Sequence, residues 1–368
     1  MKIAYIVTRA EPIGGAQVHV RDFAYALQRQ GHEPFVLTSG SGPYTEALQA
    51  AGIETRSLPN LQVPINPIRD LRALSEIRGL LKSLRPDLVS AHSSKAGVLG
   101  RMAARSLGIP VVFTAHGWAF TPGIPYRQAA LYTWIERLAA PLASKVITVS
   151  EFDRRLALAR GVAPSRKLVT IHNGMPDVGR ELWADPSRSP VRFTMVARFE
   201  PQKDHTTLLQ AFAGLPQEGW SLDLIGDGPL QASAEELAQR LGLANRVRFW
   251  GQRMDVGVRL AEAQVALLIS NWEGFPRSIL EAMRAGLPVI ATAVGGVVES
   301  VRNGETGFTV SRGDVAGLRQ RLAQLLGNAE LRAQLGRNAR QLYEERFTLD
   351  TTLAKTLAVY REVIDHRS

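Results

Sequence analysis

Residues 3–20 read IAYIVTRAEPIGGAQVHV, and this stretch decides the fold. The five residues IAYIV are apolar and short, as in a strand buried on both faces, with no alternation that would mark a wet side. Gly14 and Gly15 then break the chain before AQVHV opens a helical pattern. A buried strand, a glycine turn and a helix form the first part of a βαβ unit. The same grammar recurs in short apolar runs at 34–38, 87–91, 110–114, 146–149 and 167–171. Between them lie helical spacings, clearest in Ile68, Leu71, Leu74, Ile77, Leu81 and Leu84, which fall on one apolar stripe. HNGMPDVGRELWADPSRSP, residues 172–190, interrupts the series with Gly, Pro and Asp. A second series follows at 193–197, 221–225, 246–250, 265–269 and 288–292.

The expected fold class is therefore α/β, with two doubly wound Rossmann-like domains facing a central crevice. Residues 1–172 are expected to form the first domain, 173–190 a linker and 191–349 the second domain, with a last helix at 350–366 docking back on the first. Open parallel sheets bind ligands beyond the carboxyl ends of their strands, so the functional residues are sought in the loops after strands.

Composition narrows the function. The 368 residues are 45% hydrophobic and 21% charged, as in a globular chain of two domains. The longest apolar runs, such as VALLI and IAYIV, are far below the roughly 18 to 20 residues that span a bilayer. MKIAYIVTRAEPIGG has one lysine and an apolar run shorter than a secretory signal requires, so a cytoplasmic chain is expected. With no cysteine, disulfides, thiolate zinc sites and cysteine nucleophiles are excluded. A net charge of +10 favours anionic partners. No basic motif interleaved with aromatics points to nucleic acid. Residues 69–105 hold eight basic against three acidic side chains, which makes an anionic membrane surface a candidate partner.

Each candidate site residue has a structural alternative. Gly14 and Gly15 either expose backbone N–H groups to a phosphate at a helix start or satisfy a tight turn. GSGPYT (40–45) and GDGPLQ (226–231) follow strands but lack the third glycine of a dinucleotide fingerprint. Arg198 and Lys203 in VARFEPQKDHTTLLQAF suit a diphosphate, Arg by paired hydrogen bonds and Lys as a point charge, or are solvated loop cations. Asp204 is placed to cap the helix that follows. His116 in FTAHGWAF orients a hydroxyl and moves a proton, or is a packed core histidine. In NWEGFPRSILEAMRAG (271–286), Ser278 and Glu281 have the spacing of a capping box.

Taken together these motifs resemble the retaining glycosyltransferases of GT-B fold, glycosyltransferase family 4. Glu273 and Glu281 match that family's Glu-x7-Glu, and Arg198 and Lys203 its Arg-x4-Lys. Gly14 and Gly15 match its N-terminal glycine loop, and HNGMP its interdomain segment. AGLPVIATAVGGVVESVRNGETGF is also similar to what members carry after the signature, while HSSKAGVLG and THGWAFTPG resemble the branch that builds bacterial exopolysaccharide and O-antigen.

The resemblance implies transfer of a sugar from a nucleotide-diphosphate sugar to a saccharide or polyprenyl-diphosphate-linked saccharide acceptor. A UDP-sugar is the expected donor, with GDP-mannose the alternative. By resemblance Glu281 binds the ribose hydroxyls, Glu273 contacts the donor sugar and the backbone N–H groups of Arg277 and Ser278 hold phosphate. Arg198 and Lys203 neutralise the leaving diphosphate, Gly15 approaches it from the other domain, and His116 lies near the transferred sugar. No Asp-x-Asp is present, and the resemblance implies transfer that needs neither metal nor cofactor. Pro276 and Arg277 depart from the glycine and aliphatic residue common in members, and proline removes one N–H at that turn. A nucleotide-sugar 2-epimerase of the same architecture is the alternative activity. Peripheral attachment to the inner face of the cell membrane is a further expectation.

Overall fold

The structure, a computed structural model, describes residues 1–366. The chain divides into two units, one formed by Met1–Asn173 together with the C-terminal stretch from Leu349, the other by Gly174–Thr348. The first unit runs β1 (Lys2–Val7), α1 (Gly15–Arg29), β2 (Glu33–Thr38), α2 (Pro43–Ala50), β3 (Glu54–Ser57) and α3 (Pro67–Leu84). It continues with β4 (Leu88–His92), α4 (Ser94–Ser106), β5 (Val111–Ala115), α5 (Tyr126–Ala139), β6 (Lys145–Thr148), α6 (Glu151–Ala159) and β7 (Leu168–Thr170). The second unit runs β8 (Val191–Val196), α7 (His205–Phe212), β9 (Trp220–Ile225), α8 (Gln231–Arg240), β10 (Val247–Phe249), α9 (Val256–Ala261) and β11 (Val265–Leu268). It closes with α10 (Arg277–Arg284), β12 (Val289–Thr292), α11 (Val297–Ser300), β13 (Gly307–Val310), α12 (Val315–Leu326) and α13 (Ala329–Arg346). Helix α14 (Leu349–Asp365) returns to the first unit.

Both sheets are parallel throughout, in the order β3-β2-β1-β4-β5-β6-β7 and β10-β9-β8-β11-β12-β13. Each reverses direction of growth once, at β1 between β2 and β4 and at β8 between β9 and β11. At such a switch point the loops leave the neighbouring strands on opposite faces and open a crevice. The architecture is the α/β, GT-B arrangement of two Rossmann-like sheets. Strands β4, β5, β11 and β12 are buried along their whole length, as inner strands of a parallel sheet covered on both faces are.

In the first unit the sheet is covered on both faces. Ala73, Ile77, Leu81, Leu99 and Phe113 belong to the core on the α3–α4–α5 side, while Tyr5, Val20, Phe23, Leu353, Leu357 and Tyr360 belong to the core beneath α1 and α14. Four observations differ from the sequence reading. The edge strand β3, sequence ETRS, and the strand β13, sequence GFTV, are additional: one is polar and exposed and the other opens on glycine, so neither stands out as an apolar run. Ile68 and Leu71 are not in the buried stripe of α3 but 67% and 68% exposed, because periodicity defines a face without specifying what covers it. The stretch expected to link the domains is packed into the second unit from Gly174 onward. Arg340 there binds Asp177 through two nitrogens, and Arg332 donates to the carbonyls of Pro186, Ser187 and Arg188. Lastly, Glu281 does not close a capping box: α10 has Pro276 as its N-cap with no side-chain cap bond, so Glu281 lies more than a turn inside the helix. Among the described residues no helix is long and apolar enough to cross a membrane.

Candidate functional site

The chemistry of the second unit gathers at its switch point. The loops after β8 and β11 are joined there by Asn271, whose N–H donates to the Gln202 carbonyl at 2.7 Å, and by Asp204, whose N–H donates to the Ile269 carbonyl at 2.9 Å. Between them the Lys203 ammonium pairs with the Glu273 carboxylate, both largely buried, and Gln202 Nε2 donates to the second Glu273 oxygen at 3.2 Å. A buried carboxylate with a cation on one oxygen and an amide on the other is held in one orientation. Asp204 caps α7 by accepting from the Thr207 N–H at 3.0 Å, and so fixes where the helix after the loop begins.

Two glycines let the loops approach this closely. Gly295, at φ +56°, lies where a Cβ would fall 1.9 Å from the Glu273 carbonyl oxygen. Gly226, at φ +141°, would place a Cβ 2.1 Å from the Ala197 carbonyl. GDGPLQ therefore serves close packing of the β9 loop on the β8 loop. The sequence signal that reports this is two glycines directly after a strand without the rest of a fingerprint.

The other candidates of this unit take distinct places. Arg198 pairs with Glu200 at 2.8 Å, both substantially exposed, so the contact is a weak one. Arg277 and Ser278 open α10, whose first N–H groups have no acceptor within the helix. The Arg277 guanidinium donates to the Gly174 carbonyl at 3.2 Å, so it braces the start of this unit. Glu281 lies on the same helix, three residues beyond Ser278. Lys203 and Glu273 are thus brought into contact, Arg198 pairs with Glu200, and Arg277 and Glu281 stand four residues apart on α10.

In the first unit, Gly14 caps α1 with φ −131° and Gly15 is its first residue. Neither takes a left-handed angle, so the turn itself does not require glycine. Gln17 fixes this loop by accepting from the Gly14 N–H and donating to the carbonyls of Arg9 and Pro12. His116 follows β5 and its Nε2 meets Nδ1 of His92 at 2.9 Å. His92 Nε2 meets the Ser90 hydroxyl at 2.9 Å, which meets the Tyr360 hydroxyl at 2.7 Å. This chain of hydrogen bonds links His116 to α14, and because a neutral imidazole has one donor and one acceptor nitrogen, whether His116 Nε2 donates or accepts sets the tautomer of His92. Burial, reinforced by His116, holds His92 well below the usual imidazole range, so it is neutral.

His92 and Tyr360 were not singled out by sequence. His92 stands at the end of a strand beside the HSSKAG motif, a detectable signal, but Tyr360 lies on a helix far along the chain. His19, His92 and His116 also converge, with ligand atoms within 4.8 Å of one another. Both ring nitrogens of His92 already have partners, so a cation here would have to replace the His92–His116 bond.

A cavity of about 640 Å³ opens at the switch point of this unit. Loop residues after the strands, Thr8, Arg9, Ser93 and His116, supply polar lining, whereas Val63, Ile65, Leu99, Tyr132 and Ile135 supply apolar lining. Lys95 at its edge is neutralised by Asp70 at 2.7 Å.

Comparison with known proteins gives a consistent set of matches. The family model described as "Glycosyl transferases group 1" matches residues 185–342, and "Glycosyltransferase Family 4" matches residues 13–177. The chain is 28% identical over 380 residues to the Escherichia coli UDP-Gal:alpha-D-GlcNAc-diphosphoundecaprenol alpha-1,3-galactosyltransferase, covering 99% of this chain and 97% of that one. It is 29% identical over 360 residues to the putative glycosyltransferase EpsD of Bacillus subtilis, covering 92% and 91%. Among solved structures, HepE of Anabaena in complex with UDP-glucose aligns with a TM-score of 0.83 at 24% identity, covering 98% of this chain and 100% of that one, a likeness of fold.

Proposed function

We propose, from the premise that this chain belongs to glycosyltransferase family 4 of the bacterial exopolysaccharide and O-antigen type, that it moves a sugar from a UDP-sugar to a lipid-linked saccharide with retention at the anomeric carbon. The observation that carries this reading is the Lys203–Glu273 pair, held by Gln202 at the switch point of the second sheet. The galactosyltransferase relative acts, by its name, on UDP-Gal and a diphosphoundecaprenol-linked acceptor, and supports both halves of the proposal. The matched relatives named above are transferases, which weighs against the 2-epimerase alternative.

In this reading Glu281 grips the ribose hydroxyls and the N–H groups opening α10 receive phosphate, with Arg277 adding charge where Pro276 has removed a donor. Arg198 exchanges Glu200 for the diphosphate. Lys203 has three N–H donors, so one serves Glu273 and the others face the leaving group. Glu273, held in place, contacts the donor sugar. In the first unit Gly14 and Gly15 leave the start of α1 open to phosphate, and His116 orients a sugar hydroxyl. The acceptor hydroxyl oxygen bonds to the anomeric carbon on the face that the diphosphate leaves. The bond from that carbon to the β-phosphate oxygen breaks, and the acceptor proton passes to that phosphate. Fixed cations and helix N-termini stabilise the departing charge without solvent reorganisation, which makes a metal unnecessary.

Donor-dependent thermal shifts with UDP-glucose, UDP-galactose and GDP-mannose test the donor class; a ligand at 100 times its Kd adds about 2.7 kcal/mol. Product stereochemistry read by NMR and turnover in chelator test the rest. Stabilisation by GDP-mannose alone, inversion, or activity lost in chelator and restored by Mg²⁺ each refutes the corresponding part. A donor-only incubation that yields an epimerised nucleotide sugar would replace the transferase reading.

A further inference from the structure

Helix α5 is turned inside out. Its inward residues are Ala129, Thr133, Glu136 and Ala139, while Tyr126, Leu131, Trp134 and Leu138 are 80%, 49%, 59% and 58% exposed. The inward face has a physical cause. Arg101 of α4, wholly buried, donates to Glu136 at 2.8 Å and stacks over the Phe113 ring at 4.2 Å, so α5 must present a carboxylate and small side chains there. Nothing of that kind explains the outward face.

The segment 62–72 repeats the anomaly. Val63, Ile65, Ile68 and Leu71 are all more than half exposed. The two segments border one cavity, to which the first contributes Val63 and Ile65 and α5 contributes Tyr132 and Ile135. Their exposed charges are Arg69, Arg72, Arg127 and Arg137. Their acids are withdrawn from the surface into the polar part of that cavity, where Asp70 is paired with Lys95 and Glu136 with Arg101. Exposed aliphatic and aromatic side chains among cations, with no exposed acid, is the composition of a surface that enters an anionic lipid interface.

We propose that residues 62–72 and the outward face of α5 dock the first unit on an anionic bilayer, and that the apolar part of its cavity is filled from the acyl region. The proposal deepens the acceptor half of the reading above and rests on it only for the identity of the lipid that enters. It also relocates the basic signal of residues 69–105: Lys95 and Arg101 are engaged inside the unit, and the docking cations are those beside exposed apolar residues.

The test is flotation of the full chain with vesicles of phosphatidylcholine alone and with added phosphatidylglycerol, without donor or acceptor. Wild type should float with the anionic vesicles at low salt and much less with the neutral ones. Trp134→Ser/Leu138→Ser and Ile68→Ser/Leu71→Ser should each lower partitioning by about tenfold or more, with melting temperature and transfer to a water-soluble acceptor unchanged. If a serine variant loses stability, Arg69→Glu/Arg72→Glu serves instead and should abolish the preference for anionic vesicles. The emission lost in Trp134→Phe should be the part that shifts blue on vesicle binding. Failure of wild type to float, or variants that float like wild type, overturns the proposal. Variants that convert a dimer to a monomer while still floating would assign the face to a second copy. A chain that floats but transfers no sugar refutes the transferase reading and leaves this one standing.

Discussion

The two units have the same parallel topology and the same switch point, yet opposite chemistry at it. In the second unit the loops after β8 and β11 bring a lysine onto a buried glutamate, with a helix start close by in sequence. In the first unit the loops after β1, β4 and β5 bring together a chain of hydrogen-bonded histidines and a partly apolar cavity. The strands set where the loops emerge, and the loops alone decide what they hold. One switch point holds a buried ion pair, and the other a histidine chain beside a cavity with an apolar wall.

Lys203→Met should break this contrast most strongly, cutting turnover by 10² to 10³, or about 2.7 to 4 kcal/mol, as loss of a preorganised charge stabiliser does. It also leaves the Glu273 carboxylate buried without its cation, so the melting temperature should fall. Adding Glu273→Gln should restore the melting temperature and not the turnover; a double variant with wild-type turnover would make the pair a structural one.

The next largest effect should fall on donor affinity. Glu281→Gln exchanges a charge-assisted hydrogen bond of roughly 1.5 to 3 kcal/mol for a neutral one of roughly 0.5 to 1.5 kcal/mol, so titration calorimetry should read donor binding weakened by about tenfold with stability little changed. Glu273→Gln should lower turnover more than affinity, the pattern of an interaction stronger in the transition state.

An effect confined to stability, with no contrast in chemistry behind it, is one on which the two units agree. Each buries a histidine as the neutral form: His92 in the first, held well below the usual range, and His205 in the second, lowered by burial to about 4 and stacked 4.1 Å from the Phe199 ring. A folded-state pKa below the unfolded value of about 6.5 means that the unfolded chain binds the proton first as pH falls. Stability is then complete above about pH 6.5 and declines below it, by about 1.4 kcal/mol per pH unit for each group. For His205 the decline should end near pH 4. Denaturant unfolding between pH 7 and 4 should give this slope, and His205→Phe should remove its share in the second unit while the share of His92 remains.

The amino-acid sequence by itself determined the α/β class, eleven of the strands and the order in which the motifs recur along the chain, because apolar runs, helical spacing and glycine breaks are local properties. Through the family resemblance it also brought out Arg198, Lys203, Glu273 and Glu281 as a set, since Arg-x4-Lys and Glu-x7-Glu each lie within one short stretch of chain. Only the tertiary structure decided their partners. Lys203 and Glu273 are seventy positions apart, and which cation meets which acid depends on how β8 and β11 pair. Tyr360 and Ser90 are brought together by a helix that returns across the whole chain. The inversion of α5 was equally hidden, since its sequence has an apolar face and a small, polar one, and a periodicity cannot say which of them the protein covers. That was settled by Arg101, a buried cation on a neighbouring helix that required Glu136 to face inward and left Trp134 and Leu138 outside.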